Sequence, residues 1–214
     1  INMVQLEIET LLKHLPENKK VLDIGCGAGY PAIEIAKKKH LGITGIDFSE
    51  EMINSAKKRL QGANGLKGSI AFQSGDALQL PFHDNTFDLV YTIRCIINMA
   101  EWNLQKKAIT EIHRVLKPAG KFYMMECSTQ GLANLNRVRR EFGIKPITAV
   151  WHNRFFDEDS LHSFCKDLFS KIKTENFSST FILFSRGIQP FLVAPAEPTY
   201  DSPINKLGRE FPNI

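Results

Sequence analysis

Three glycines at alternate positions, Gly25, Gly27 and Gly29 in VLDIGCGAGY, follow directly on the aliphatic run Val21 to Ile24. Glycines spaced this closely let backbone amides approach a ligand, and a helix that begins just beyond them adds its own free N–H groups. In an α/β sheet, a turn of this kind between the first strand and the following helix is where nucleotide-like ligands bind. The spacing narrows the ligand further. The dinucleotide fingerprint wants its third glycine at position 30, which is Tyr30, so NAD and FAD are disfavoured; no Lys followed by Ser or Thr closes the turn, which removes the P-loop reading. Asp47 ends a second aliphatic run and can accept hydrogen bonds from both hydroxyls of a ribose, although an acid before a helix is also an ordinary structural residue. Asp76, in SGDALQLPF, ends a third run at the same edge.

These residues need a scaffold that delivers them to one sheet edge. The opening segment carries Val4, Ile8, Leu11, Leu12 and Leu15 at helical spacing and stops at Pro16. Strand, glycine turn and helix follow, with Pro31 suited to a first helical turn and Lys37 to Lys39 near the helix end, where positive charge is favoured. The unit then repeats: strand GITGID, a helix capped by Ser49, strand SIAFQSGD, strand FDLVYTI, helix NLQKKAITEIHRVL and strand KFYMMEC. Strands alternating with helices imply a doubly wound, mostly parallel sheet covered on both faces. The runs SKIKTENF and STFILFSRGI read as an antiparallel edge hairpin, which makes seven strands. Residues 1–188 are expected to form one domain, with 128–158 an acceptor-side insertion or lid, and the Pro-rich tail 189–214 is expected to be irregular.

The 214 residues are 43% hydrophobic and carry a net charge of +4, which permits an anionic partner without requiring one. Nothing approaches the roughly 18 uninterrupted apolar residues of a membrane span. The four cysteines are scattered in apolar surroundings, so neither a disulfide framework nor a metal site is expected, and a cytoplasmic setting suits them.

The glycine turn, the two acids at strand ends, Phe87-Asp88 opening the fourth strand and RVLKPAG closing the next helix occur in an order that resembles the class I S-adenosylmethionine-dependent methyltransferases. The style is closest to the ubiquinone/menaquinone methyltransferase-like superfamily, strongly over about residues 19–127. The resemblance implies a Rossmann-like fold and S-adenosyl-L-methionine as cofactor. It places Gly25, Gly27 and Gly29 around the methionine part with Asp23 at the amino group, Asp47 on the ribose diol, Phe48 and Met52 near adenine, and Asp76 with Ala77 at the adenine amino group. Thr92 to Arg94 would line the far side of the cofactor.

Acceptor choice is expected to reside in YTIRCIINMAEWN and in the long segment after the fifth strand. The first lacks the Asp/Asn-Pro-Pro-aromatic signature used for planar nitrogen acceptors. Arg94 either binds an anion, whether acceptor or cofactor carboxylate, or forms a structural ion pair. His152 can serve as general base toward a hydroxyl acceptor or be a hydrogen-bonded structural histidine. Arg137, Arg139 and Arg140 form either an anion or RNA patch or a solvated helix face. The leading expectation is methyl transfer to a hydroxyl or carboxylate oxygen of a small metabolite or saccharide. Methylation of RNA or protein, and a cofactor-binding scaffold without turnover, are the alternatives; oligomeric state is left open.

Overall fold

The computed structural model describes residues 3–199 and 201–211. Five strands, β1 (Lys19–Ile24), β2 (Leu41–Asp47), β3 (Ser69–Ser74), β4 (Phe87–Ile93) and β5 (Leu116–Met125), form a sheet of order β3-β2-β1-β4-β5. Every pairing is parallel. The chain winds outward from β1 in both directions, so the C-terminal end of β1, where β2 and β4 diverge, is the switch point at which such sheets bind ligands. Gly25 to Gly29 lie there.

Alternation along the strands divides the core. Val21, Ile43, Leu89 and Tyr91 pack with Ile8 and Leu11 of α1 (Met3–His14), Ile35 of α2 (Tyr30–Lys38) and Ile53 of α3 (Glu50–Gln61). Leu22, Ile24, Ile46 and Val90 face the other way, onto Ile109 and Ile112 of α4 (Trp102–Val115). The caps read from the sequence are present: Pro31 occupies the first turn of α2, and Ser49 Oγ accepts from the Met52 amide at 3.3 Å. A 3₁₀ turn, Ile96–Asn98, follows β4. Within β5, the register jumps from the Phe87–Leu116 pair to the Leu89–Lys121 pair, so Lys117 to Gly120 bulge out of the ladder.

Beyond β5 the sequence reading needs correcting. Among the described residues there are five parallel strands and no antiparallel hairpin. Residues 171–177 have no regular structure, and Ser179–Ile182 (α7) runs through a π-helical segment, Leu183–Ile188, into α8 (Gln189–Val193). A short apolar run does not discriminate strand from buried helix by periodicity. Here Phe181 and Ser185 are buried four residues apart, one helical turn, and Ser185 Oγ donates to the Phe181 carbonyl at 2.7 Å. The proline-rich tail also differs from expectation in being partly helical: α9 (Pro203–Glu210) packs Gly208 against Phe184 so tightly that a Cβ would lie 2.6 Å from the phenylalanine. Between β5 and this region stand α5 (Thr129–Glu141) and α6 (Glu158–Lys166), joined by an extended stretch. No helix of the described residues is long and apolar enough to cross a membrane.

Candidate active site

The glycine turn achieves its shape by placing all three glycines at positive φ: 73° at Gly25, 51° at Gly27 and 78° at Gly29. Their surroundings differ. A Cβ on Gly25 would run into Cys95 Sγ, and one on Gly29 would lie 2.7 Å from the Phe72 ring, so these two bring elements together. A Cβ on Gly27 would meet nothing within 4 Å, so it would project into a cleft of about 280 Å³. Asp23, Gly25, Gly27, Tyr30, Arg59 and Arg94 are among the residues lining that cleft.

Two carboxylates define its chemistry. Asp47 Oδ2 accepts from the Gly27 amide at 2.9 Å and Oδ1 from the Ser49 amide at 2.9 Å. Each oxygen keeps a lone pair, which is the acceptor set that a vicinal diol requires. Asp23 is 2% exposed, opposite Tyr91 in the β1–β4 register, and its Oδ2 has no hydrogen-bond partner. Burial pushes its pKa up to about 7 and the nearby Asp47 charge adds to this. The Tyr91 hydroxyl opposes the rise, but its geometry falls short of a full hydrogen bond. An unpartnered buried carboxyl at a cleft wall is a site for a cation with N–H donors.

Phe48, next to Asp47, is 80% exposed, and Met52 one helical turn away is 39% exposed. Large apolar side chains this open beside a ribose-type acid suit a flat heterocycle. Asp76 turns one carboxyl oxygen back onto the Leu78 amide at 2.8 Å and leaves the other available, while Ala77 packs in the core. The donor set therefore fits S-adenosylmethionine: Asp23 toward an ammonium, Asp47 toward a ribose diol, and Phe48, Met52 and Asp76 toward adenine.

Arg94 lines the cleft and forms an ion pair, the structural alternative raised by the sequence; its partner Glu7, and Glu126, are residues that sequence reasoning passed over. Arg94, at φ 50°, holds Glu7 of α1 in a fork, Nε to Oε1 at 2.8 Å and Nη2 to Oε2 at 3.1 Å. Glu7 is 2% exposed, and burial raises its pKa against the pull of Arg94. An acid three residues after Val4 and four before Leu11 lies on the apolar face of α1, and that was the available signal. Glu126, just past β5, accepts from the amides of Cys95 and Ile96, both at 3.0 Å, and of Ile97 at 3.4 Å. It shapes the turn that presses Cys95 against Gly25, and burial raises its pKa to about 7. A charge directly after a buried strand was the signal here, as at Arg94.

His152 is exposed and makes an edge contact with the Trp151 ring, centroids 5.3 Å apart; it does not line this cleft. Arg139 turns inward, with Nε donating to the Lys145 carbonyl at 2.8 Å and Nη1 to the Arg186 carbonyl, while Arg137 and Arg140 stay exposed. The three arginines therefore do not share one solvent face.

Residues 21–120 match a family described as a methyltransferase domain. Sterol 24-C-methyltransferase erg-4 of Neurospora crassa is 39% identical over 112 residues, 52% of this chain and 28% of that protein. Norajmaline N-methyltransferase of Rauvolfia serpentina is 36% identical over 115 residues, 54% of this chain and 38% of its own length. The chain thus spans well under half of these relatives. Among solved structures, a S-adenosylmethionine-dependent methyltransferase from Methanosarcina mazei superposes with a TM-score of 0.60 at 28% identity, covering 74% of this chain and 82% of the other. A Pyrococcus horikoshii protein gives 0.60 at 26% identity, covering 76% and 78%.

Proposed function

We propose, from the premise that this chain belongs to the class I S-adenosylmethionine-dependent methyltransferases, that it methylates a small-molecule acceptor at a hydroxyl or carboxylate oxygen. The observation that carries the reading is the meeting of Asp23, unpaired and buried, with Asp47 around the open face of Gly27. S-adenosylmethionine supplies a methyl group already activated by a sulfonium. Asp23, once ionised, holds the cationic amino group, Asp47 fixes the ribose, and the apolar faces of Phe48 and Met52 flank the adenine. Glu126 and Gly25 set the position of the Cys95 to Ile97 turn, against which the acceptor is aligned. Alignment in a dry site is worth about 7 to 11 kcal/mol of barrier, so these residues have mainly to position and to exclude water.

Support for a small-molecule acceptor comes from the chain's mild charge and from relatives named for small molecules, a sterol 24-C-methyltransferase and a norajmaline N-methyltransferase; the choice of oxygen rests on the absence of an Asp/Asn-Pro-Pro-aromatic run after β4. An RNA or protein acceptor has less support, because Arg139 is committed to backbone carbonyls instead of joining a basic face. Screening small hydroxylated and carboxylated compounds for release of S-adenosylhomocysteine tests the reading; turnover on RNA or protein alone would overturn it.

A further inference from the structure

The amino and carboxylate groups of an α-amino acid hang from one carbon, so a cleft that takes the first through an acid needs a cation close by for the second. Asp23 answers the first need. Among the described residues that line the cleft, two are cationic, Arg94 and Arg59. Arg94 is committed to Glu7 through its two-bond fork. Glu7 is almost fully buried, so turning the guanidinium toward a ligand would strand its carboxyl in the packing of α1.

Arg59 is placed differently. It lies on α3 three residues beyond Ala56, whose methyl group packs so closely on Gly29 that a Cβ there would lie 3.0 Å from it. Arg59 Nη1 donates to the Ala28 carbonyl at 3.1 Å, which ties the guanidinium to the glycine turn itself. Tyr30 backs it: Arg59 Cζ stands 5.8 Å from the centre of the Tyr30 ring, a cation–π arrangement. No acid pairs with Arg59 among the described residues, and both it and Tyr30 are exposed. An exposed arginine is ordinarily a solvated charge. This one is anchored on a main-chain carbonyl, supported by an aromatic ring and left without an acid, in the same cleft as the unpartnered Asp23. Its remaining N–H groups form a planar donor set that matches the two oxygens of a carboxylate. Tyr30, which stands where a dinucleotide site would have its third glycine, thereby gains a role: it holds a long cation beside the turn.

We infer that Arg59, held by the Ala28 carbonyl and Tyr30, binds the carboxylate of the cofactor's methionine portion and makes the cleft select a carboxylated ligand over its decarboxylated counterpart. The identity of the ligand rests on the methyltransferase reading. Asp23 and Arg59 then take the two charged groups of the amino-acid moiety, while Arg94 stays with Glu7 and keeps α1 in place.

Calorimetric titration of S-adenosylmethionine and of decarboxylated S-adenosylmethionine into the full chain tests the inference, at pH 8, where Asp23 is ionised. The second compound keeps the adenosine, the sulfonium and the amine that meets Asp23, so the two ligands differ in the carboxylate alone. The wild type should bind S-adenosylmethionine at least about tenfold more tightly, the effect of charge-assisted hydrogen bonds to one carboxylate. Arg59→Gln should bring the two affinities together by weakening S-adenosylmethionine, and its unchanged affinity for the decarboxylated compound would show that the cleft is intact. Arg59→Lys, which restores the charge without the planar fork, should keep part of the preference. A preference that survives Arg59→Gln in full overturns the inference, as does a wild type that binds both compounds equally. Equal weakening of both compounds in Arg59→Gln also overturns it, since Arg59 would then only prop the glycine turn; all three results leave the cofactor reading standing. A wild type that binds neither compound overturns that reading and this inference with it.

Discussion

Asp47 Oδ2 accepts a hydrogen bond from the Gly27 amide at 2.9 Å, so the acid proposed to bind the ribose also holds the glycine turn in place. On that proposal, one coupled unit recognises the two halves of the cofactor. Gly27→Ala should separate binding from folding: its Cβ meets no protein atom, so the fold bears only the left-handed backbone cost of roughly 1 to 2 kcal/mol, while the cleft is filled. Gly25→Ala should instead unfold at markedly lower temperature, because Cys95 must move. Thermal unfolding and cofactor titration on both variants check the contrast.

Cofactor affinity should depend on pH through Asp23. In the free protein its carboxyl sits at about 7, and the cofactor's ammonium requires the ionised form. Affinity should therefore fall by up to tenfold per unit below about pH 7 and level off above it. Binding at pH 6 should release close to one proton, seen as a dependence of the calorimetric heat on buffer ionisation enthalpy. Asp23→Asn should remove that proton release.

The same carboxyl should burden the free protein. A folded pKa raised above the unfolded value means that stability is highest at acid pH for this group and is lost as pH rises through about 7. At pH 8 the cost is as much as roughly 4 kcal/mol, from a rise of about three units at 1.36 kcal/mol each. Asp23→Asn should therefore raise the denaturant midpoint at pH 8 while weakening cofactor binding. A variant destabilised at pH 8 would contradict this account.

Arg94→Ala should leave Glu7 buried without its partner and cost roughly 1 to 3 kcal/mol, because the half-exposed guanidinium is partly screened by solvent, whereas Arg94→Met combined with Glu7→Leu should recover most of the loss. Urea unfolding of the single and double variants reads this directly. If the double variant is no more stable than Arg94→Ala, the pair does not secure α1.

Glu126→Gln should loosen the turn after β4, since an amide offers one acceptor oxygen where three backbone amides now converge on two. Hydrogen exchange at Cys95 to Ile97 should accelerate more than in the sheet.

What was legible in the sequence follows from how each feature is encoded. The glycine turn, Asp47 and the Ser49 cap are local, since one strand end or one helix start dictates them. Glu7 and Glu126 were not legible because their partners lie 87 and about 30 residues away, and only the folded sheet brings them to Arg94 and to the Cys95 turn. The edge hairpin failed for a different reason. Phe181 to Phe184 is apolar at every position, and tertiary packing against Gly187 and Gly208 decided for helix. The burial of Gln105 was not legible either, because a glutamine at the start of an amphipathic helix carries no signal of the core position that this one occupies.

The most direct test of the central claim is calorimetric titration of S-adenosylmethionine and S-adenosylhomocysteine into the wild type and Asp47→Ala. Two charge-assisted bonds to the diol, each about 1.5 to 3 kcal/mol, set the expected difference at roughly a hundredfold or more. Wild-type binding that falls by this factor in the variant is the predicted result. Binding of neither compound by the wild type, or equal binding by both proteins, would contradict the assignment of this cleft.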